Sequence, residues 1–188
     1  MMARRYAAGA ARRDALLDAA EQLLTTVGYA QTSMRAVAAA ADVRIGHLQH
    51  YFPNRAELIR AVLERVLTRS HAELAEVTDP ETAVTYLLSE HDNSSSVRLF
   101  VEIWAIAAAE PAIRDVVTAF YAEYTHQVAE FIRNHRPDSD AATTRARAET
   151  FVTLMEGAAL MRSGIAAHRS VSTDAILRKT AIALLTGA

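Results

Sequence analysis

Cysteine is absent from the 188 residues, which excludes disulfide bonds, thiolate metal sites and cysteine nucleophiles. No apolar run approaches the roughly 20 residues that are needed to span a bilayer. The start of the chain is basic and alanine-rich but has no apolar core of about 7–15 residues, so a secretory signal is not expected. We therefore expect a soluble cytoplasmic protein that has no membrane partner.

Motifs typical of enzymes are missing as well. The chain has no nucleophile-elbow motif and no phosphate-cradling glycine loop. Glu123 and His126 form the one Glu-x-x-His motif, whereas a carboxylate metal centre in a helical bundle needs two such motifs and further glutamates. His47 and His50 could be read as metal ligands, but they have no cysteine or third ligand near them in the sequence. We expect no enzyme activity, no cofactor and no metal site.

No segment shows the alternating pattern of a strand, and there is no repeat and no long linker. Apolar residues make up 51% of the chain and charged residues 22%, which is typical of a globular protein. Helical periodicity fills two short segments between Thr32 and Phe52 and seven longer ones: 11–27, 55–77, 81–90, 97–109, 111–136, 144–168 and 174–185. The sequence predicts an all-α protein of about nine helices.

Charge is unevenly distributed along the chain. Residues 1–60 carry a net charge of +3, whereas residues 61–188 carry −5, and all basic residues except Lys179 are arginine. A basic first third on an acidic body is what a polyanion-binding module joined to a larger body would show. Ordinary charge scatter is the alternative interpretation.

The segment from Thr32 to Phe52 has the pattern of two helices on either side of a tight turn. Thr32 or Ser33 can cap the first helix through a side-chain oxygen. Asp42 stands where the chain must turn sharply, and aspartate tolerates the left-handed backbone better than most residues. The second helix leaves a donor-rich face that suits a DNA groove, formed by Arg44, Ile45, Gly46, His47, Gln49 and His50. The pattern predicts a helix-turn-helix.

The same segment resembles a known family. Thr-Ser-Met-Arg-x-Val-Ala, Ala-Asp-Val and Gly-x-Leu-x-His-Tyr-Phe-Pro-Asn-Arg-x-Glu-Leu are similar to the N-terminal domain of TetR-family transcriptional regulators, without gaps from about Arg12 to Leu63. The family usually has glycine where Asp42 stands, a small hydroxyl residue at Arg44, a phosphate-contacting tyrosine at Gln49 and lysine at Arg55.

The resemblance implies two domains. Residues 1–54 would form the helix-turn-helix DNA-binding domain, with residues 1–10 as a flexible basic arm that is either solvated or reaches a minor groove. Residues 55–188 would form a ligand-binding and dimerisation domain, whose weaker resemblance rests on Leu99-Phe-Val-Glu-x-Trp and Phe151-Val-x-Leu-Met-Glu-Gly. The helix that starts at Arg55 would then link the ligand to the DNA mechanically.

In the family, the recognition helix enters the major groove with its first turns against base edges. Arg44 could read guanine and Gln49 adenine, while other positions would hold phosphates and set position rather than sequence. The DNA-contacting residues that the resemblance implies are Thr32, Ser33, Arg44, Ile45, Gly46, His47, Gln49, His50, Tyr51 and Arg55. Tyr51 could instead be a core aromatic residue with only its hydroxyl at the surface.

Two further surfaces are predicted in the second domain. A cavity with mostly apolar walls and a few polar groups suits a small molecule, and we expect it to be lined by Phe100, Trp104, Tyr121, Tyr124, His126 and Met155. The last two helices are apolar over more than one face, which suits a symmetric dimer with contacts from Phe151, Leu154, Ala158, Arg162, Ile165, Ile176 and Leu184. Core packing within one chain is the alternative for both sets.

The resulting hypothesis is a homodimeric, ligand-responsive transcriptional repressor that binds a palindromic operator. A small, largely hydrophobic or aromatic effector would release the protein from DNA. The alternative is a helical small-molecule-binding or enzymatic bundle with a vestigial helix-turn-helix. The dependence of DNA affinity on salt separates the two, because phosphate contacts give a steep slope.

Overall fold

The fold is entirely helical over the part of the chain that the structure describes. The computed structural model describes the backbone of residues 2–164, 166 and 168–187, and their side chains except those of residues 2–8, 70, 71 and 73–75. Within these residues there is no strand, and the elements are α1 (Met2–Val27), a 3₁₀ turn (Tyr29–Gln31), α2 (Met34–Ala40), α3 (Ile45–Tyr51), α4 (Arg55–Ala75), α5 (Pro80–Glu90), α6 (Ser94–Ala109), α7 (Pro111–His135), α8 (Ala141–Arg162) and α9 (Val171–Thr186). The predicted all-α class and nine helices are confirmed.

Side-chain caps set the start of several helices. Ser33 Oγ accepts the Ala36 N–H at 3.1 Å, which confirms the cap predicted for α2. Asn54 Oδ1 accepts the Glu57 N–H at 3.0 Å at the start of α4, and Asp140 Oδ1 accepts the Thr143 N–H at 2.9 Å at the start of α8. Each cap satisfies a backbone donor that has no partner within its helix.

Two helix bounds differ most from the prediction. Helix α1 begins at Met2 rather than near Ala11, so the segment predicted as a flexible arm is helical from Met2, in keeping with the high helix propensity of its alanines. The side chains of Arg4 and Arg5 lie outside the described residues. Helix α8 ends at Arg162, earlier than predicted, because the Ser163 hydroxyl bonds back to the Leu160 carbonyl at 2.6 Å and competes with the helical backbone.

The first compact unit comprises residues 1–67 and 98–117. Leu16 and Leu24 of α1, Val37 of α2 and Leu48 of α3 are fully buried. Arg65 of α4 adds ion pairs to two acids of α1, Asp18 and Glu21, at 2.7 and 2.6 Å. Helix α1 therefore supports α2 directly and α4 through these ion pairs, while α3 packs against α2.

The second compact unit comprises residues 68–97 and 118–188. Here α5, α8 and α9 pack together. Arg162, at the end of α8, is almost completely buried and pairs with Asp174 of α9 at 2.9 Å. It also donates to the Leu88 carbonyl of α5 at 2.9 Å. One guanidinium thus ties three helices together, with Asp92 3.6 Å away.

Candidate nucleic-acid interface and ligand cavity

The turn between α2 and α3 has the geometry of a helix-turn-helix. Asp42 has φ 52°, the left-handed conformation that its position in the sequence predicts. The Val43 N–H donates to the Ala38 carbonyl at 2.9 Å, and the Asp42 N–H donates to the Ala39 carbonyl at 3.2 Å. These bonds close the turn and fix the direction in which α3 leaves α2.

Helix α3 buries one side and exposes the other. Leu48 is fully buried and anchors the helix, and Arg44 is the residue just before the first turn. Six of the residues predicted to face DNA are exposed: Arg44, Ile45, Gly46, His47, Gln49 and His50. A Cβ added at Gly46 would have no heavy atom within 4 Å. This exposed face carries donors and no acid, which suits base edges and phosphates.

Tyr51 is the last residue of α3 and contacts both histidines of the exposed face. Its side chain is half-buried, and its ring meets the imidazoles of His47 and His50 edge-on, with both centroid distances at 5.4 Å. The tyrosine therefore supports the two histidines of the exposed face as well as closing the end of α3.

Thr32 does not belong to this face. Its side chain is fully buried, and its hydroxyl donates to the Gly28 carbonyl at 2.8 Å. It closes the turn that follows α1 and is not free to reach DNA in this conformation. Ser33, which follows it, is exposed.

Arg55 is also engaged within the protein. Its guanidinium lies over the Tyr29 ring at 3.8 Å from the centroid and donates to the Tyr29 carbonyl. The predicted phosphate contact would therefore require Arg55 to leave this stacked position. Cation–π stacking of this kind explains why arginine, with its flat guanidinium, is used here.

Two carboxylates also accept hydrogen bonds from Tyr29. Glu102 of α6 accepts the Tyr29 N–H at 3.0 Å, and Glu110, between α6 and α7, accepts the Tyr29 hydroxyl. Burial, and then the bond to Glu110, raise the pKa of Tyr29. Gly28 has φ 81°, and a Cβ there would lie 2.8 Å from Glu102 Oε1.

The second unit contains a cavity of about 580 Å³, a size that suits a small molecule. Its walls are mostly apolar, with polar groups from α7, and it is lined by Val77, Thr78, Ala83, Leu87, Tyr124, Gln127, Val128, Glu130, Phe131, Asn134, His135, Phe151 and Leu185. Gln127 donates to Glu123 at 3.3 Å. The buried Oε1 of Gln127 has no hydrogen-bond partner among the described residues.

Two segments of the chain match known families of bacterial regulators. Residues 16–62 match bacterial regulatory proteins of the tetR family. Residues 81–185 match the C-terminal domain of BetI-type transcriptional repressors. The chain belongs to the TetR family of transcriptional regulators. This confirms the family that the helix-turn-helix motif indicated.

The curated relatives match only part of the chain. An HTH-type transcriptional regulator in the dhlA 5′ region of Xanthobacter autotrophicus is 30% identical over 131 residues, 64% of this chain and 65% of the relative. The repressor KstR of Rhodococcus jostii is 43% identical over 58 residues, 31% and 27% of the two chains. The chain thus spans less than two thirds of these curated relatives. Salmonella enterica GusR has the same fold, with a TM-score of 0.78 at 22% identity and coverage of 93% and 95%.

The cavity described above shares one residue with the lining predicted from the sequence. Of the six residues expected to line it, only Tyr124 is among the lining residues. Met155 is buried in the core, and the side chain of His126 is exposed, 3.8 Å from Glu130. Phe100 and Trp104 of α6 are half-buried in the first unit, and Tyr121 of α7 is half-buried in the second.

Glu156 and His91 of the second unit have strongly altered pKa values. Burial raises the pKa of Glu156 to about 7, although Tyr121 donates a hydrogen bond to its carboxylate. Burial, and then the nearby Arg162 charge, lower the pKa of His91 to about 4, against the opposing effect of Asp92. A charged residue inside the apolar run Leu154-Met-Glu-Gly was the one sequence signal for Glu156.

The predicted dimer contacts divide into buried and exposed residues. Phe151, Ala158 and Arg162 are buried within the second unit, so they are not free to contact a second copy. Ile165 lies outside the described residues. Leu154 and Leu184 are half-buried, while Ile176 is 69% exposed. Met161 and Val171, which were not among the predicted contacts, are large apolar side chains exposed by 50% and 89%.

Neither a candidate metal cluster nor a membrane-spanning helix occurs in the described part of the chain. Among the described side chains, no group of three or more His, Asp or Glu residues could hold a metal ion. None of the described helices combines the length and apolar character that crossing a membrane requires.

Proposed function

We propose that this TetR-family regulator is a homodimeric repressor that binds a palindromic operator and is released by a small, largely apolar effector. The observation that carries the proposal is the exposed face of α3, with Leu48 buried behind it. Arg44 and Gln49 are the residues proposed to read bases, because their side chains can form bidentate contacts with guanine and adenine. The match to BetI-type repressors supports repression rather than activation.

The second copy is proposed to pack against the exposed apolar side chains of α8 and α9. Met161 and Ile176 are large apolar residues that water would otherwise surround. A two-fold dimer would present two α3 helices, and a palindrome with half-sites roughly 34–36 Å apart would match them.

The effector is proposed to bind the cavity of the second unit. Its volume of about 580 Å³ suits a small molecule, and its mostly apolar walls favour an apolar one. An effector can shift the protein only by binding one conformation more tightly than another. The effector-bound conformation is therefore proposed to present the two α3 helices at a spacing that does not fit the operator.

The test is selection of bound duplexes from a random DNA pool, followed by sequencing. A recovered palindrome would support the proposal and would supply the operator for all later assays. Failure to enrich any sequence, with the protein folded and dimeric, would contradict it.

A variant pair then tests base reading. Arg44→Ala should weaken specific binding more than non-specific binding, because a bidentate base contact discriminates by about 1–3 kcal/mol. Arg145→Ala removes the same charge from an exposed position in α8 and serves as the control. Equal losses on specific and random DNA for Arg44→Ala would rule out base reading by Arg44.

A further inference from the structure

Two acidic residues distant from α3 in the sequence hold the turn that precedes the helix-turn-helix. Glu102 accepts the backbone N–H of Tyr29 at 3.0 Å, and Glu110 accepts the Tyr29 hydroxyl. Both lie in the same compact unit as α2 and α3. The turn is thus fixed at its backbone and at the end of its side chain.

The turn is in direct contact with the start of α2. The Tyr29 carbonyl accepts the Thr32 N–H at 3.1 Å, and the Gln31 carbonyl accepts the Ser33 N–H at 2.9 Å. Ser33 in turn caps α2. A displacement of Tyr29 would therefore shift the first residues of α2, against which α3 packs.

The carboxylate of Glu102 packs closely against Gly28 at the end of α1. It lies against Gly28, whose φ of 81° and missing Cβ leave the room that the carboxylate occupies. Any side chain at this position would be strained and would push Glu102 away. The end of α1 is therefore shaped to receive this carboxylate.

Electrostatics alone does not account for two acids at this place. A carboxylate near the C-terminus of α1 faces the negative end of the helix dipole, and acids weaken the attraction of a DNA-binding module to phosphates. Their hydrogen bonds to Tyr29 are the gain that offsets these costs.

We propose that Glu102 and Glu110 are positioning residues for DNA binding, which set the orientation of α2 and α3 by holding Tyr29. This inference rests on the DNA binding proposed above for α3. It assigns a function to two acids that lie outside the helix-turn-helix.

The sign of the effect on DNA binding gives a sharp test. Removing an acid from a DNA-binding module ordinarily leaves DNA affinity unchanged or raises it. We expect Glu102→Ala and Glu110→Ala to weaken operator binding, each on the order of tenfold. Asp115→Ala, an exposed acid of α7 in the same unit, should leave operator binding unchanged or slightly tighter. Unchanged or tighter binding by both test variants would overturn the proposal.

Conservative variants separate positioning from simple loss of structure. Glu102→Gln retains an oxygen that can accept the Tyr29 N–H, so its operator affinity should stay within about threefold of the wild type. Tyr29→Phe keeps the ring under Arg55 and should match Glu110→Ala, with the double variant no weaker than either single one. Additive losses in this cycle, or a Glu102→Gln variant as weak as Glu102→Ala, would refute the assignment.

Hydrogen exchange of the free protein tests the same contacts without DNA. Glu102→Ala should speed amide exchange in the turn and the start of α2 about tenfold, while Glu102→Gln should not. Equal exchange in all three proteins would overturn the proposal. If the exchange result holds but no operator is recovered from the random pool, the proposed function fails and the positioning contacts stand.

Discussion

The altered pKa values of Glu156 and His91 predict two opposing pH dependences that conceal each other in the wild-type protein. The perturbations are Glu156→Gln, which keeps an acceptor for Tyr121, and His91→Gln, which removes the imidazole. Both residues lie in the second unit. Each variant should expose the pH dependence that the other residue causes.

The sign follows from the protons that each state binds. Glu156 loses its proton near pH 4.5 when it is unperturbed and near 7 in the folded protein. Between these values the folded state holds one more proton, so stability falls as pH rises. His91 titrates near 6.5 when unperturbed and near 4 in the folded protein. Between these values the unfolded state holds one more proton, so stability rises with pH.

The two pKa shifts change the free energy of unfolding by similar amounts. Each pair of pKa values corresponds to at most about 3 kcal/mol, reached over a slope of about 1.4 kcal/mol per pH unit. From pH 4.5 to 6.5 the slopes have opposite signs and nearly cancel. Asp79, Asp140 and Asp174 have pKa values lowered from 3.8 by their hydrogen bonds, so their main contributions lie at more acidic pH.

The assay is urea unfolding at fixed protein concentration, followed by far-UV circular dichroism. Fluorescence is unsuitable because the one tryptophan, Trp104, lies in the other unit. The wild type should be nearly flat from pH 4.5 to 6.5. Glu156→Gln should lose stability on acidification, and His91→Gln should gain it. Parallel curves for Glu156→Gln and the wild type would refute the reasoning.

Three other variants test separate features. Asp42→Gly removes the backbone strain of a left-handed residue and should raise the free energy of unfolding by between zero and about 1 kcal/mol. Asp42→Val should lower it by about 1–2 kcal/mol in thermal melts. Equal stability of the two variants would contradict the presence of strain at this position. Gln127→Met removes a buried acceptor that has no partner among the described residues, and it should raise the free energy of unfolding by about 1 kcal/mol. The control is Gln22→Met at an exposed position. A loss of stability in Gln127→Met would show that the acceptor is satisfied. Ile176→Asp should shift sedimentation from dimer to monomer at micromolar concentration, and an unchanged dimer would remove α9 from the proposed interface.

Local signals in the sequence were sufficient for the helix-turn-helix. Ser33 caps α2 and Asp42 adopts the left-handed conformation, as their local sequence predicts. Each of these depends on a residue and its neighbours within a few positions, so the pattern determines the structure. The alternation of exposed residues around Leu48 follows from helical spacing alone.

Contacts between distant positions could not be predicted in the same way. Tyr29 and Glu102 are 73 positions apart, and no spacing rule links them. Arg55 was expected at a phosphate because the family resemblance implies that contact, and no local pattern indicated its contact with Tyr29, 26 positions earlier. Tertiary packing decides such contacts.

The face of α8 was ambiguous for a related reason. Its apolar residues cover more than one side, so periodicity did not determine which side faces the core. Phe151, Ala158 and Arg162 proved to be inside, and Met161 outside. Burial of Arg162 became possible only because Asp174 is supplied by the next helix.

Gly46 has a consequence for how the protein can change over evolution. It lies inside α3 with open space around its Cα, so alanine would fit there and favour the helix by about 0.5–1 kcal/mol. Folding alone therefore disfavours the residue that is present. Substitutions at this position meet no clash, and they lie on the face that is proposed to meet a duplex. The position can therefore vary without endangering the native state. Lineages can explore new target sequences at this position while the scaffold stays intact.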